Sequence, residues 1–283
     1  MGQGAPVLVA SHERSGTHLT IDLLRRHFPA CSVKMRPLES PHNAYLSLDR
    51  FFANPARPMT HEAAEQALGR ATALPLKTHA EPDLHEIGPE HAEMVSSIVD
   101  RSAKLYVLRN PFKVLCSYFA WMHNWRGPET GDFAQFLREP VGRHQTRVGR
   151  WAEHVRSWSQ TPGVMTIRYE DMIEDTVGTL LDIRDWINQP LDLKARVLPT
   201  RVRGLRSKLT TRLTGRYEST NLAGPTTRTP KPAQVFTRDD FDLLMDVGSD
   251  VLAKFKYDVS DHWLQDKPEL AGQVPERGAA VLS

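Results

Sequence analysis

An α/β fold, a single domain with a central parallel β-sheet flanked by helices, is the architecture this 283-residue sequence predicts. Two observations carry that prediction. Short continuous apolar runs of strand length alternate with longer stretches of helical periodicity, the pattern of strands buried on both faces and joined by crossover helices. The composition, 40% hydrophobic and 25% charged, is that of a chain able to bury a substantial core, and it excludes disorder along the whole length.

The apolar run at 7–10 is the first strand. It leads into the loop Ser11-His12-Glu13-Arg14-Ser15-Gly16-Thr17, after which Leu19, Leu23 and Leu24 recur at helical spacing. Thr60 caps a helix over 62–68. Residues 74–76, 105–108 and 164–167 read as three further buried strands. Pro111 opens a helix over 111–122, at a position where its missing N–H removes no helical bond. Helices over 145–159, 171–186 and 239–255 follow, while 225–232 is a Pro- and Thr-rich loop and the residues after Lys267 are a loose tail. The expected domain spans 5–258, with 259–283 as a C-terminal tail.

Charge narrows the function classes. Lys and Arg number 36 against 34 Asp and Glu, a formal charge of +2, so the chain as a whole has no field to hold a polyanion, which argues against bulk nucleic-acid binding. One local exception is the acid-free stretch that holds Lys194, Arg196, Arg201, Arg203, Arg206, Lys208, Arg212 and Arg216. It reads as a solvated basic face or as an anion site. Cys31 and Cys116 read as buried thiols in a reduced compartment, a disulfide between them being the alternative. Residues 1–6 hold no basic region of a signal peptide, Pro6 stands where a myristoylation pattern needs Ser or Thr, and no stretch approaches the ~20 apolar residues of a membrane span. A cytoplasmic protein without membrane insertion is expected.

Four segments can carry chemistry. Arg14-Ser15-Gly16-Thr17 lies between a strand and a helix, where unpaired backbone N–H groups and the helix dipole favour a phosphate; the Walker A spacing G-x-x-x-x-G-K-[ST] is absent, and a plain capping turn is the alternative. Leu76-Lys77-Thr78-His79 follows another strand and places next to a cation a side chain able to take a proton near neutrality. Tyr106 to Ser117 is a strand running into a helix, with Arg109 at the strand's carboxyl end and Ser117 about two turns into the helix; both can reach one anion, or Arg109 can sit in a surface ion pair. Ile167-Arg168-Tyr169-Glu170-Asp171 ends a fourth strand, and Tyr169 either faces a base or packs in the core. The aromatic run 118–125 lines an acceptor pocket or forms helix core.

In this order the four segments resemble the sulfotransferases that use 3′-phosphoadenosine 5′-phosphosulfate (PAPS) as donor, and the resemblance spans about 7–255. It implies a P-loop-like fold, release of 3′,5′-adenosine bisphosphate (PAP) and no metal. It places Arg14, Ser15, Gly16 and Thr17 on the 5′-phosphosulfate, Arg109 and Ser117 on the 3′-phosphate and Tyr169 at the adenine. Lys77-Thr78-His79 matches the K-T-H of the cytosolic branch, which makes His79 the general base, with Lys77 and Arg14 stabilising charge. The acceptor is then a hydroxyl, or an amine, of a small molecule or carbohydrate. Two departures stand out. Arg14 replaces a frequent Lys, as in bacterial-type members. The late R-K-G motif is missing, so the resemblance leaves open which of Arg206, Lys208, Arg212, Arg216, Arg228 or Lys231 completes the 3′-phosphate site. His18 stands where Thr is usual and receives no role. The rival readings are a P-loop-type nucleotide kinase, for which a Walker lysine and a Mg²⁺ carboxylate are missing, and a nucleotide-binding protein without catalysis. A serine hydrolase is disfavoured by the lack of a G-x-S-x-G elbow.

Overall fold

A computed structural model describes residues 4–199, 213–215, 219–220 and 229–265. The chain forms two compact units, one made of 1–110 and 153–224, the other of 111–152 and 225–283.

The first unit is built on a five-stranded parallel sheet: β1 (Val7–Ala10), β2 (Leu46–Ser47), β3 (Pro75–Thr78), β4 (Ala103–Leu108) and β5 (Val164–Arg168), in spatial order β2-β3-β1-β4-β5. The central strand β1 is flanked by β3 and β4, with Ala10 opposite both Thr78 and Tyr106. Its carboxyl end is therefore the point where the strand order reverses, and in open α/β sheets ligands bind outside that edge. All four residues of β1 are buried, as expected of a strand covered on both faces. Val7, Val9, Leu105 and Val107 share one core with Ile21 and Leu24 from α1 (Thr17–His27), with Phe28 just beyond it and with Leu180 and Ile183. Arg25 and Arg26 lie in the last turn of α1, where positive charge complements the helix dipole.

The helices α2 (His61–Leu68) and α3 (Ala92–Asp100) connect the strands on one side of β1 and lead across to β4. The Thr60 hydroxyl accepts from the Ala63 N–H at 3.2 Å, the cap its position implies. The single helix expected over 171–186 is two helices, α7 (Tyr169–Glu174) and α8 (Thr176–Ile187). Asp175 separates them: its backbone leaves the helical region and its carboxylate caps α8 by accepting the Gly178 N–H at 2.8 Å.

The second unit opens with α4 (Pro111–Arg126) and continues through α5 (Phe133–Arg138). The helix α6 (Arg147–Gln160) belongs to the second unit through Ala152 and to the first from Glu153 onward. The helix Arg238–Lys254 starts at a Thr237 capping box completed by Asp240. Phe112 packs against Phe236, Phe241 and Trp263, and Phe119 against Phe133 and Phe136. Tyr118, Phe119, Ala120 and Met122 are buried, so much of the aromatic run 118–125 is helix core. Of the loop expected over 225–232, residues 229–231 have no regular structure and Pro232 opens a short helix, Pro232–Val235, while 225–228 lie outside the described residues. Cys31 and Cys116 are both free and buried, which removes the disulfide alternative. No helix among the described residues is long and apolar enough to cross a membrane.

Candidate active site at the carboxyl edge of the sheet

The loop after β1 is shaped by two unusual backbone conformations. Arg14 has φ +69° and Gly16 φ +116°, the left-handed region that costs a residue with a side chain on the order of 1–3 kcal/mol and collects at functional sites. Gly16 is required for a second reason, since a Cβ there would come within 2.5 Å of Cδ2 of Tyr169. Tyr169, at the end of β5, is thus packed on the loop backbone. The Arg109 guanidinium lies 4.4 Å from the centre of the Tyr169 ring, and its Nη1 donates to the Arg14 carbonyl at 3.2 Å. Three strand ends thereby meet around one loop.

Two polar atoms in this cluster are buried without a hydrogen-bond partner, Ser15 Oγ and Arg109 Nε. A buried donor left unmet is costly, on the order of 1–3 kcal/mol, and marks a place where an acceptor-rich group fits. With the first N–H groups of α1, which have no intrahelical acceptor, these donors suit a phosphate-type anion. Thr17 is also buried, its hydroxyl 2.6 Å from that of Ser11.

His79 follows β3 and is tied to the same loop. Its Nδ1 lies 2.7 Å from the Ser11 carbonyl oxygen, which can only accept, so Nδ1 carries the hydrogen and the neutral ring keeps its lone pair on Nε2. Burial, then the charge of Lys77, hold the His79 pKa below its ordinary value, against the opposing pull of Asp49, Glu13 and the Ser11 carbonyl. Lys77 Nζ donates to Asp49 Oδ2 at 2.5 Å, and Asp49 Oδ1 accepts the His79 N–H at 2.8 Å and the Thr78 hydroxyl at 3.2 Å. Burial alone would raise the Asp49 pKa, but Lys77, His79 and these bonds outweigh it and keep the carboxylate below its usual range.

Arg14, Ser15, Gly16, Thr17, Lys77, His79, Arg109 and Tyr169 are thus linked within the first unit. Ser117 is buried on α4 and belongs to the second unit. Of the late basic residues, Lys231 flanks the short helix Pro232–Val235, its N–H bonded to Gln234 Oε1, while Arg206, Lys208, Arg212, Arg216 and Arg228 lie outside the described residues. At the near end of the acid-free stretch, Lys194 pairs with Asp192.

Sequence reasoning missed several participants. Asp49 follows a two-residue strand and belongs to no pattern. His18, left without a role, has its Nδ1 2.9 Å from the Thr220 hydroxyl, and its ring packs edge-on to His42 and Tyr45. Burial first, then the charges of Lys77, His79, His42 and Arg14, push its pKa down to about 3. His18 is therefore a neutral ring near the cations Lys77 and Arg14.

A parallel sheet that hands a glycine-bearing loop to a helix N-terminus, beside a neutral histidine, defines an α/β protein whose loop suits an anion. The family described as "Sulfotransferase domain" matches residues 5–210, and the chain belongs to it. Sulfotransferase 2A1 of Rattus norvegicus is 28% identical over 108 residues, covering 37% of this chain and 38% of the relative. Sulfotransferase 2A6 of Mus musculus is 31% identical over 111 residues, covering 36% and 37%. The matched stretch thus spans little more than a third of the curated relatives' length. Among solved structures, mouse sulfotransferase SULT7A1 complexed with PAP superposes with a TM-score of 0.52 at 18% identity, over 89% of this chain and 87% of that one. A sulfotransferase from Alicyclobacillus acidocaldarius gives 0.50 at 17% identity, over 92% and 98%. At such identities the likeness is one of fold.

Proposed function

We propose that this protein transfers the sulfuryl group of PAPS to a hydroxyl, or an amine, of a small-molecule or carbohydrate acceptor, with His79 as general base. The observation that carries the reading is the coupling of His79 to the loop that precedes α1. Ser11 accepts the His79 Nδ1 hydrogen through its carbonyl and bonds Thr17 through its hydroxyl, so the proton acceptor and the anion loop share one residue.

In this mechanism Ser15, Gly16, Thr17 and Arg14 hold the 5′-phosphosulfate, Arg109 the 3′-phosphate, and Tyr169 the adenine side. His79 Nε2 takes the proton of the acceptor as its oxygen or nitrogen bonds to sulfur. The bond from sulfur to the bridging oxygen breaks, and PAP leaves with that electron pair. Arg14 and Lys77 offset the negative charge on the sulfuryl and bridging oxygens. No metal takes part, as transfer rests on positioning and fixed charges. A mouse neighbour crystallised with PAP supports the donor class.

Calorimetric titration with PAP, ADP and ATP in metal-free buffer tests the donor site. Micromolar or tighter binding of PAP alone is expected, whereas preference for ATP, or no binding, overturns the reading. His79→Ala should then lower kcat by about 10²- to 10⁴-fold while PAP affinity stays within about twofold, since the base touches the acceptor and not the nucleotide. A variant with near-normal kcat removes His79 from the mechanism.

A further inference from the structure

The mechanism leaves unused a fully buried histidine in the first unit. His154, on α6, is 0% exposed, and Tyr106, on β4, is 0% exposed as well. A histidine and a tyrosine hydroxyl enclosed together in a core carry a desolvation cost that packing alone does not require. Their partners account for them. His154 Nε2 lies 3.2 Å from the His79 carbonyl oxygen, and His154 Nδ1 lies 3.0 Å from the Tyr106 hydroxyl. A carbonyl can only accept, so Nε2 carries the hydrogen; Nδ1 of the neutral ring then accepts from Tyr106. One turn on, Trp158 Nε1 donates to the Ala80 carbonyl at 2.9 Å, and the Trp158 ring stacks on Tyr106 at 6.0 Å. His12, from the loop after β1, packs edge-on against His154 at 5.7 Å.

From this arrangement we propose that His154, backed by the Tyr106 hydroxyl, is a positioning residue that orients the base His79. The inference rests on the assignment of His79 as base and deepens it. His79 is held at three points: its N–H by Asp49, its ring Nδ1 by Ser11 and its carbonyl by His154. The first two bonds set where the ring lies and which nitrogen is bare. The third fixes the peptide plane that follows His79, and with it the direction in which Cα–Cβ and the ring leave the strand end. Without it that peptide can rotate, the ring loosens from the Ser11 carbonyl, and the lone pair no longer stays on Nε2 alone. A misplacement of about 1 Å can cost ~10²-fold in rate.

The test compares three full-length variants with the unaltered chain. His154→Leu removes both ring nitrogens at similar volume, His154→Gln keeps an N–H donor at the Nε2 end, and Tyr106→Phe removes one hydroxyl only. Ring ¹⁵N shifts of His79 report its tautomer without any turnover. Those of the unaltered chain should show a single Nδ1–H form, and those of His154→Leu a mixture. With 2-naphthol as probe acceptor and PAPS as donor, kcat of His154→Leu should fall by about 10²-fold, with KM for PAPS and the PAP dissociation constant within about twofold. His154→Gln should recover at least about tenfold of that loss, a rescue that simple core damage would not give.

Unchanged His79 shifts in His154→Leu, or an unchanged kcat, overturn the proposal. So does parallel loss of kcat and PAP affinity in Tyr106→Phe, which serves as the decisive variant if His154→Leu does not fold. An unaltered chain that binds no PAP and transfers nothing refutes the sulfotransferase reading instead, and the ¹⁵N shifts still decide whether His154 orients His79.

Discussion

The side chain at position 18, in the first turn of α1, shows how a histidine is kept neutral by burial and neighbouring charge. His18 stands next to Lys77, His79, His42 and Arg14, and it meets this company as a neutral ring whose pKa is depressed to about 3. An unfolded histidine takes up its proton near 6.5, so between these two values the unfolded chain binds the extra proton and folding stability falls as the pH drops. Replacing His18 by Gln removes that term. The melting temperature of His18→Gln relative to the unaltered chain should therefore rise steadily as the pH is lowered from 7 to 5, when followed by scanning calorimetry in matched buffers. A difference that stays constant over that range would show that the ring is not the group that resists protonation. Nearby Asp22 acts in the opposite sense, since burial lifts its carboxyl to about 6 against Arg25 and the bonds from Thr220 and Ser219. Its contribution is lost as the pH rises from the unfolded value through about 6, which is why the comparison must be made between variants and not on the absolute curve.

At the scale of elements, Asp175 decides where one helix ends and the next begins. Its carboxylate accepts the Gly178 N–H at 2.8 Å, and Asp175→Ala should cost about 1 kcal/mol in a urea melt, while Asp175→Asn, an equally good cap, should cost almost nothing. Equal losses for both would point to charge and not to capping. This break also marks what the sequence could and could not disclose. β1, β3 and the buried end of β4 were legible because a strand covered on both faces is largely apolar, β5 because Val164, Met165 and Ile167 form a short apolar run, and α1 because its leucines keep helical spacing. The helix pair α7 and α8 read as one, since both faces stay periodic across Asp175 and a side-chain cap is a local competition that periodicity does not register. β2 escaped because two residues have no period. With it went Asp49, which matters only because Lys77, Thr78 and the His79 N–H converge on it from a strand 28 to 30 residues later in the chain. The residues beside strand ends, Arg14, His79, Arg109 and Tyr169, could be singled out for the opposite reason, since the parallel topology itself sends them to one edge. No sequence pattern sets His154 apart or pairs it with Tyr106, and only their partners distinguish them.

For the molecule as a whole, the two units each bury a single thiol. Cys31 lies in the first and Cys116 in the second, both at 0% exposure. Burial pushes the Cys31 thiol up to about 12 and raises that of Cys116 as well, so neither is a nucleophile until its surroundings open. Under native conditions both should react with a disulfide reagent at least about a thousandfold more slowly than in denaturant, in keeping with the free energies that separate folded from open states. A fast phase at either position would show that its burial does not persist in solution. With Cys31→Ser and Cys116→Ser prepared separately, each remaining sulfur becomes a stopwatch for its own unit. The chain thus carries an internal chronometer pair, requiring no added dye or tag, with which the opening of the sheet and that of the helical unit can be timed apart.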